Sequence, residues 1–425
     1  MLTATRARFA QRRPFLSGKT WPSIYLFVFS ISISFFTNTD DGRNYLVIAL
    51  AIISIPALLF VLDDQLLPDI AWVVVTIGYS ACVVFVSDPV ELRTTLGYTV
   101  LLAASYLAFV GGLRSKYTKT ADIRSVLRWI IDMYAAIIII QVIAQLAGLP
   151  MPNELNHKEA WSFNSLATEP SNVGRILSLT LLSYLTLQGD TFKSGSIRQI
   201  VIHQRRALIP FTIAMVFSGS ALAAMAIPVT IILALSGARM VAALAAIAVS
   251  WPALSLIQAS SVQRSVAFLS ALPSLNVATI GKADGSGATR VFPSLIYFLN
   301  FTGFDSAFWF GSGYIALRQF RIPGVLQGEM AGIFPGYFIA FGLVGTSLLL
   351  LCFMFRFIAR ETMPVILLFI IFVSPGAWNT QVFWYGLMMI RVVHHYTRPA
   401  MRERRGVIRL GNAVSIRRRA AGEWG

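Results

Sequence analysis

"ALIPFTIAMVFSGSALAAMAIPVTIILALS", residues 207–236, reads either as one long apolar helix or as two short ones separated at Phe217–Ser220. The choice sets the parity of every later segment, because a membrane span consumes roughly 17 to 25 mostly apolar residues and each span reverses the side on which the chain emerges. Lys and Arg accumulate on the cytoplasmic side of membrane proteins, so their distribution decides the parity. Five basic residues precede the first apolar run (Arg6, Arg8, Arg12, Arg13, Lys19) and eight follow Arg391. Two helices in 207–236 put both basic termini on one side, whereas one helix separates them. The sequence therefore predicts two.

Working outward, apolar runs recur at about 21–37, 45–62, 70–86, 94–110, 129–147, 173–187, 207–219, 221–236, 241–258, 331–354, 362–377 and 380–392. With 56% hydrophobic residues, 13% charged residues and a mean hydropathy of +0.68, a single water-soluble core cannot absorb the chain. The expectation is an all-α polytopic membrane protein of about twelve transmembrane helices with a long periplasmic loop carrying short surface helices. Its segments are a basic cytoplasmic tail (1–20), helices one to nine (21–258), the large loop (259–330), helices ten to twelve (331–392) and a second basic cytoplasmic tail (393–425). In that topology 26 of the 35 Lys and Arg face inward and 9 outward. The net charge of +16 is then a matter of topology and anionic headgroups, and no nucleic-acid partner is expected. Cys82 and Cys352 both fall inside apolar runs, which indicates neither a disulfide framework nor a thiolate metal site.

Two outward segments are long enough for chemistry, 148–172 and 259–330. The larger holds Arg264, Lys282, Arg290, Arg318 and Arg321 against Asp284, Asp305 and Glu329. Positive charge is disfavoured on the outer face, and guanidinium forks suit phosphate oxygens bidentately. These arginines match an anionic ligand, or alternatively lipid headgroups and the nearby acids. Arg290 stands out because it follows the flexible "DGSGAT" and precedes an apolar segment.

Arg290, "FGSGY" (Phe310–Tyr314), the helix opening "GYFIAFGLVGTSLLLL" (Gly336–Leu351), "FSGSALAAMA" from Phe217 and "ATEPSNVG" from Ala167 together resemble the superfamily of bacterial O-antigen ligases and Wzy-type repeat-unit polymerases. The resemblance covers roughly 160–350. It departs at Glu329, where ligases usually carry a His, and at Ala221, where an Arg is frequent, and both departures argue against lipid A ligation. The resemblance implies an all-helical membrane glycosyltransferase of the GT-C-like class that uses a polyprenyl-diphosphate-linked oligosaccharide as donor. It implies polymerisation of exopolysaccharide or O-antigen repeat units at the periplasmic face of the bacterial inner membrane, with a flippase and a chain-length regulator as pathway partners. A ligase-type glycan transferase, a lipid-linked oligosaccharide flippase or transporter, and a structural component are the alternative readings.

The residues suit that chemistry on their own terms. A diphosphate leaves readily, so the general acid of ordinary glycoside cleavage is dispensable and the cost lies in negative charge developing beside the bilayer. Arg290, Glu169 and Glu329 are the catalytic candidates, and Arg321, Arg175, Arg318 and Asp284 are the candidates for holding diphosphate or glycan. Glu169 sits just before a span, where Pro170 and Ser171 favour a helix start; it reads either as base or as a helix-terminal charge paired with Arg175. Asp132 lies four residues after Arg128 and predicts an i, i+4 pair. Asp40 and Asp41 are rival carboxylates, but adjacent acids on an extended loop make a poor metal site. His157, the outward histidine, reads as an inert loop residue. Neither a metal nor another cofactor is expected.

Overall fold

The computed structural model describes residues 21–33, 44–61, 66–87, 96–113, 118–153, 162–189, 197–235, 240–242, 245, 260–274, 276–283, 297, 303–313, 332–373 and 380–397. The regular elements among the described residues are helices. In chain order they form α1 (Trp21–Ile31), α2 (Tyr45–Val61), α3 (Leu67–Ser87), α4 (Gly97–Leu113), α5 (Thr120–Leu146), α6 (Pro170–Thr186), α7 (Ile197–Phe217), α8 (Ala221–Ala234), α9 (Ser260–Ala271), α10 (Val277–Ala283), α11 (Ser306–Phe310), α12 (Phe338–Phe353), α13 (Met363–Leu368) and α14 (381–397).

Among the described residues three helices are long and apolar enough to cross a membrane: Pro68–Val86, Thr120–Leu146 and Phe334–Phe353. Five shorter apolar helices accompany them, at Trp21–Ile31, Tyr45–Ile55, Gly97–Leu113, Ala221–Ala234 and Met363–Val373. This corrects the expectation of about twelve transmembrane helices, and with it the polytopic GT-C-like architecture. The Wzy-type and O-antigen-polymerase terms attached to that twelve-helix architecture are withdrawn with it. The run at 241–258 lies almost wholly outside the described residues.

The physical reason is helix length: α1 stops after 11 residues and α8 after 14, short of what a span consumes, and hydropathy does not show where a helix ends. The α6 helix is buried nearly all round: Val173, Ile176, Leu177, Leu179, Leu181 and Leu182 join the core, and Thr180 bonds the buried Tyr385 hydroxyl of α14 at 2.7 Å. The run at 207–219 is the second half of α7, whose first half carries Arg205 and Arg206. The chain does turn between α7 and α8, at Gly219 with φ of 62°. By contrast α3 leaves Val74, Val75, Phe85 and Val86 exposed, and α5 leaves Ile139, Ile140, Ile143 and Leu146 exposed along one stripe. Apolar stripes on helices of this length are suited to lipid tails, and the protein is membrane-associated through these few helices.

Partner contacts orient the helices. Asp69 at the start of α3 meets Arg356 beyond the end of α12, and Ser80 further along α3 meets Tyr337 before α12, so the two run antiparallel. Arg124 near the start of α5 bonds Gln188 beyond the end of α6, while Gln141 near the end of α5 bonds Asn164 before α6, so these are antiparallel too. One end of the assembly thus carries Asn164 and the start of α6, and the other carries Arg124, Gln188 and Thr118, to whose carbonyl Tyr396 of α14 donates.

Candidate functional site

The segment before α6 is held by buried amides. Gln141, inside the apolar α5, donates to the Pro152 carbonyl at 2.8 Å and to Asn164 Oδ1 at 3.1 Å, and accepts from the Ser165 N–H at 2.9 Å. Asn153 donates to the carbonyls of Ser165 (2.6 Å) and Ala167 (3.0 Å), and Asn164 donates back to the carbonyls of Asn153 and Ala167, both at 2.8 Å. Ser165 Oγ donates to the Tyr134 carbonyl. Asn153 and Ser165 adopt left-handed backbone, φ of 58° and 50°. Side-chain amides here replace the regular ladder that the irregular backbone lacks, which is how a buried loop satisfies its polar groups.

From this platform Glu169 emerges in extended conformation as the N-cap of α6, with Pro170 at the first helical position. Its carboxylate makes no capping bond; it is exposed and accepts from the Ser171 hydroxyl at 3.1 Å. Below it Thr168 accepts from Asn172 at 3.0 Å, and Asn172 Oδ1 accepts from the half-buried Arg175 guanidinium at 2.9 Å. The next contact is with α8. A Cβ placed on Gly174 would lie 2.9 Å from the Ala223 Cα, so the two backbones touch. At the turn into α8, the Gly219 carbonyl accepts from Arg264 of α9 at 3.4 Å. Arg264 of α9 thus reaches the turn into α8, while Arg175 of α6 is held by Asn172 one turn before it.

Of the seven candidate residues, Glu169 and Arg175 lie within the described structure and share the first two turns of α6. Arg290, Arg318, Arg321, Asp284 and Glu329 lie outside the described residues, as do Asp40, Asp41 and His157. The expected pair of Arg128 and Asp132 is present at 3.4 Å. Asp305 caps α11 by accepting the Phe308 N–H at 2.8 Å, and burial together with the Asp305 charge raises the Tyr297 phenol above its usual range. Among the described residues no three His, Cys, Asp or Glu side chains come together as metal ligands.

The two glycine elements, far apart in sequence, are in contact. Gly311 of "FGSGY" and Gly342 of the α12 opening face one another, Ser312 N–H donates to the Ile339 carbonyl at 2.9 Å, and Tyr79 of α3 donates to the carbonyls of Phe310 and Phe341 at 2.9 and 3.2 Å.

Sequence reasoning missed the amide platform and a buried ionic cluster at the other end. Asp69 accepts from Arg356 at 2.8 Å and from Arg391 at 3.2 Å. Gln141 within an apolar run is the one signal that points to the platform.

The fold and site define a helical, membrane-associated protein with a carboxylate–guanidinium element at one end. The chain matches no protein-family model and no curated protein.

Proposed function

We propose that the protein is a membrane enzyme that lengthens a glycan by joining oligosaccharide repeat units donated as polyprenyl diphosphates. The observation that carries this reading is the Glu169 carboxylate, which stands at a helix start without being spent on capping and lies within two turns of Arg175. In the reaction the acceptor hydroxyl attacks the anomeric carbon, its proton passes to the Glu169 carboxylate, and the bond to the diphosphate breaks with the electron pair leaving on the bridging oxygen. Arg175 opposes the charge that develops there, and Arg290, Arg318 and Arg321 of the 259–330 segment are proposed to supply further guanidinium groups. Asp284 and Glu329 remain candidates for orienting glycan or acceptor. The reading depends on this chemistry and not on a number of spans.

The basic clusters at the two termini, five Lys and Arg before Trp21 and eight after Arg391, are the reason for proposing a bacterial inner membrane with both termini cytoplasmic and the Glu169 end outward. A flippase would deliver the donor and a chain-length regulator would limit the product. Reporter fusions at Gly285 and after Arg405 are expected to report opposite sides; the same side for both overturns the placement.

The function is tested in a deletion strain and with purified protein. Loss of the gene is expected to leave single lipid-linked repeat units at the outer face, and the purified enzyme is expected to elongate them in EDTA. Accumulation of long lipid-linked chains would mean ligation instead, accumulation of inward-facing units would mean flipping, and failure in EDTA would return attention to Asp40 and Asp41.

A further inference from the structure

At the end of the assembly opposite Glu169, three charged residues from three helices or their edges converge. Asp69 is 4% exposed and gives one oxygen to each of two guanidinium groups. Arg391 is 7% exposed and stacks over the Phe357 ring with its Cζ 4.2 Å from the centroid; the Arg356 Cζ lies 5.9 Å from the same ring. His394 packs edge-on against Phe357. Arg391 is thus held on one side by carboxylate and on the other by an aromatic face.

Arg356 is different. It is bound to Asp69 at 2.8 Å yet 32% exposed, so its fork is fixed at one edge and open at the other. Exposed apolar side chains flank it in the chain, Leu351 and Ile358, ahead of the charged Arg360 and Glu361, and the exposed Trp72 stands one turn beyond Asp69 on α3. Tryptophan at the end of a membrane-length helix marks headgroup depth. Among the described residues the cluster sets two guanidinium groups against one carboxylate, in a setting where positive charge is costly unless an anion approaches.

We propose that Arg356, positioned by Asp69 and backed by Arg391, binds the phosphate of an anionic lipid headgroup. Basic pockets between membrane helices suit this ligand, and a guanidinium whose inner edge is already fixed by a carboxylate presents its remaining N–H groups without losing further side-chain freedom. The ligand chemistry is an anionic phosphate; the lipid source follows from the exposed Leu351, Ile358 and Trp72, which give acyl chains an apolar bed. The site lies at the end away from Glu169, and the inference does not rest on the proposed reaction.

Full-length protein in a non-ionic detergent would be titrated with short-chain phosphatidylglycerol, with phosphatidylcholine of the same chain length, and with inorganic phosphate. Phosphatidylglycerol is expected to bind most tightly. Arg356→Gln is expected to weaken it by roughly ten- to a hundredfold, the value of a charge-assisted contact. Arg356→Lys retains the ion pair with Asp69 but loses the fork, and is expected to weaken binding in the same direction while melting as wild type without lipid. Phosphatidylcholine binding as tightly as phosphatidylglycerol, or both variants binding as wild type, overturns the proposal. Tight binding of inorganic phosphate, lost in the same variants, overturns the lipid source and assigns the site to the free anion.

Discussion

Gly311 and Gly342 are mutually interlocked: a Cβ on Gly342 would lie 2.5 Å from the Gly311 nitrogen, and a Cβ on Gly311 would lie 2.5 Å from the Phe341 Cα. Both have positive φ, 87° and 67°, with extended ψ, a region open essentially to glycine. The contact pins the loop segment carrying α11 onto the first half of α12, within reach of the Tyr79 hydroxyl on α3.

Gly311→Ala and Gly342→Ala are each expected to destabilise the folded protein by about 2 to 4 kcal/mol, combining backbone strain with overpacking against a main chain that cannot retreat. Melting of the detergent-solubilised protein checks this. Gly97→Ala, where a Cβ meets nothing within 4 Å, serves as the control and should melt as wild type or slightly higher.

Tyr79→Phe removes a hydroxyl that reaches two carbonyls and is expected to cost about 1 kcal/mol. Protease cleavage near residues 303–313 should accelerate with little change elsewhere. Uniform acceleration along the chain would mean that the hydroxyl supports the whole fold instead of this docking contact.

Glu169→Gln separates catalysis from structure. A general base loses roughly 10²- to 10⁴-fold in rate when it cannot accept a proton. A residue that only presents charge at a helix start loses about 0.3 to 1 kcal/mol of stability. Elongation of lipid-diphosphate repeat units, followed by gel alongside the melting temperature, distinguishes the two; near-normal ladders would leave Glu169 a structural residue.

Gln141→Leu keeps bulk and apolar character but strips the platform of a donor to Pro152 and Asn164 and an acceptor for Ser165. The buried groups left behind cost about 1 to 3 kcal/mol. Activity is expected to fall more than stability, because the platform sets where Glu169 stands, and hydrogen exchange should rise over 162–169.

Asp69→Asn leaves two guanidinium groups facing a neutral amide, and breaking a buried ion pair in this way costs about 3 to 5 kcal/mol. Adding Arg391→Met should recover part of that loss, since the buried charge goes with its partner. A double variant no more stable than Asp69→Asn alone would place the stabilisation in the stacking of Arg391 on Phe357.

Local signals in the chain determined the helical class, the apolar character, the start of α6 at Pro170 and the turn at Gly219, because proline, glycine and runs of apolar residues act through their own backbone and immediate neighbours. The pair of Arg128 and Asp132 was legible for the same reason, being one helical turn apart. Tertiary structure decided which face each helix buries, since Leu177 and Ile143 are both apolar while one belongs to the core and the other to the surface. It also decided which charges meet. Arg356 and Arg391 lie 287 and 322 residues from Asp69, and only antiparallel packing of α3 against α12 brings the first of them to it. Gln141 and Asn164, or Gly311 and Gly342, are likewise joined by the return path of the chain, and the energy of burying them together exists only once the helices that carry them have packed.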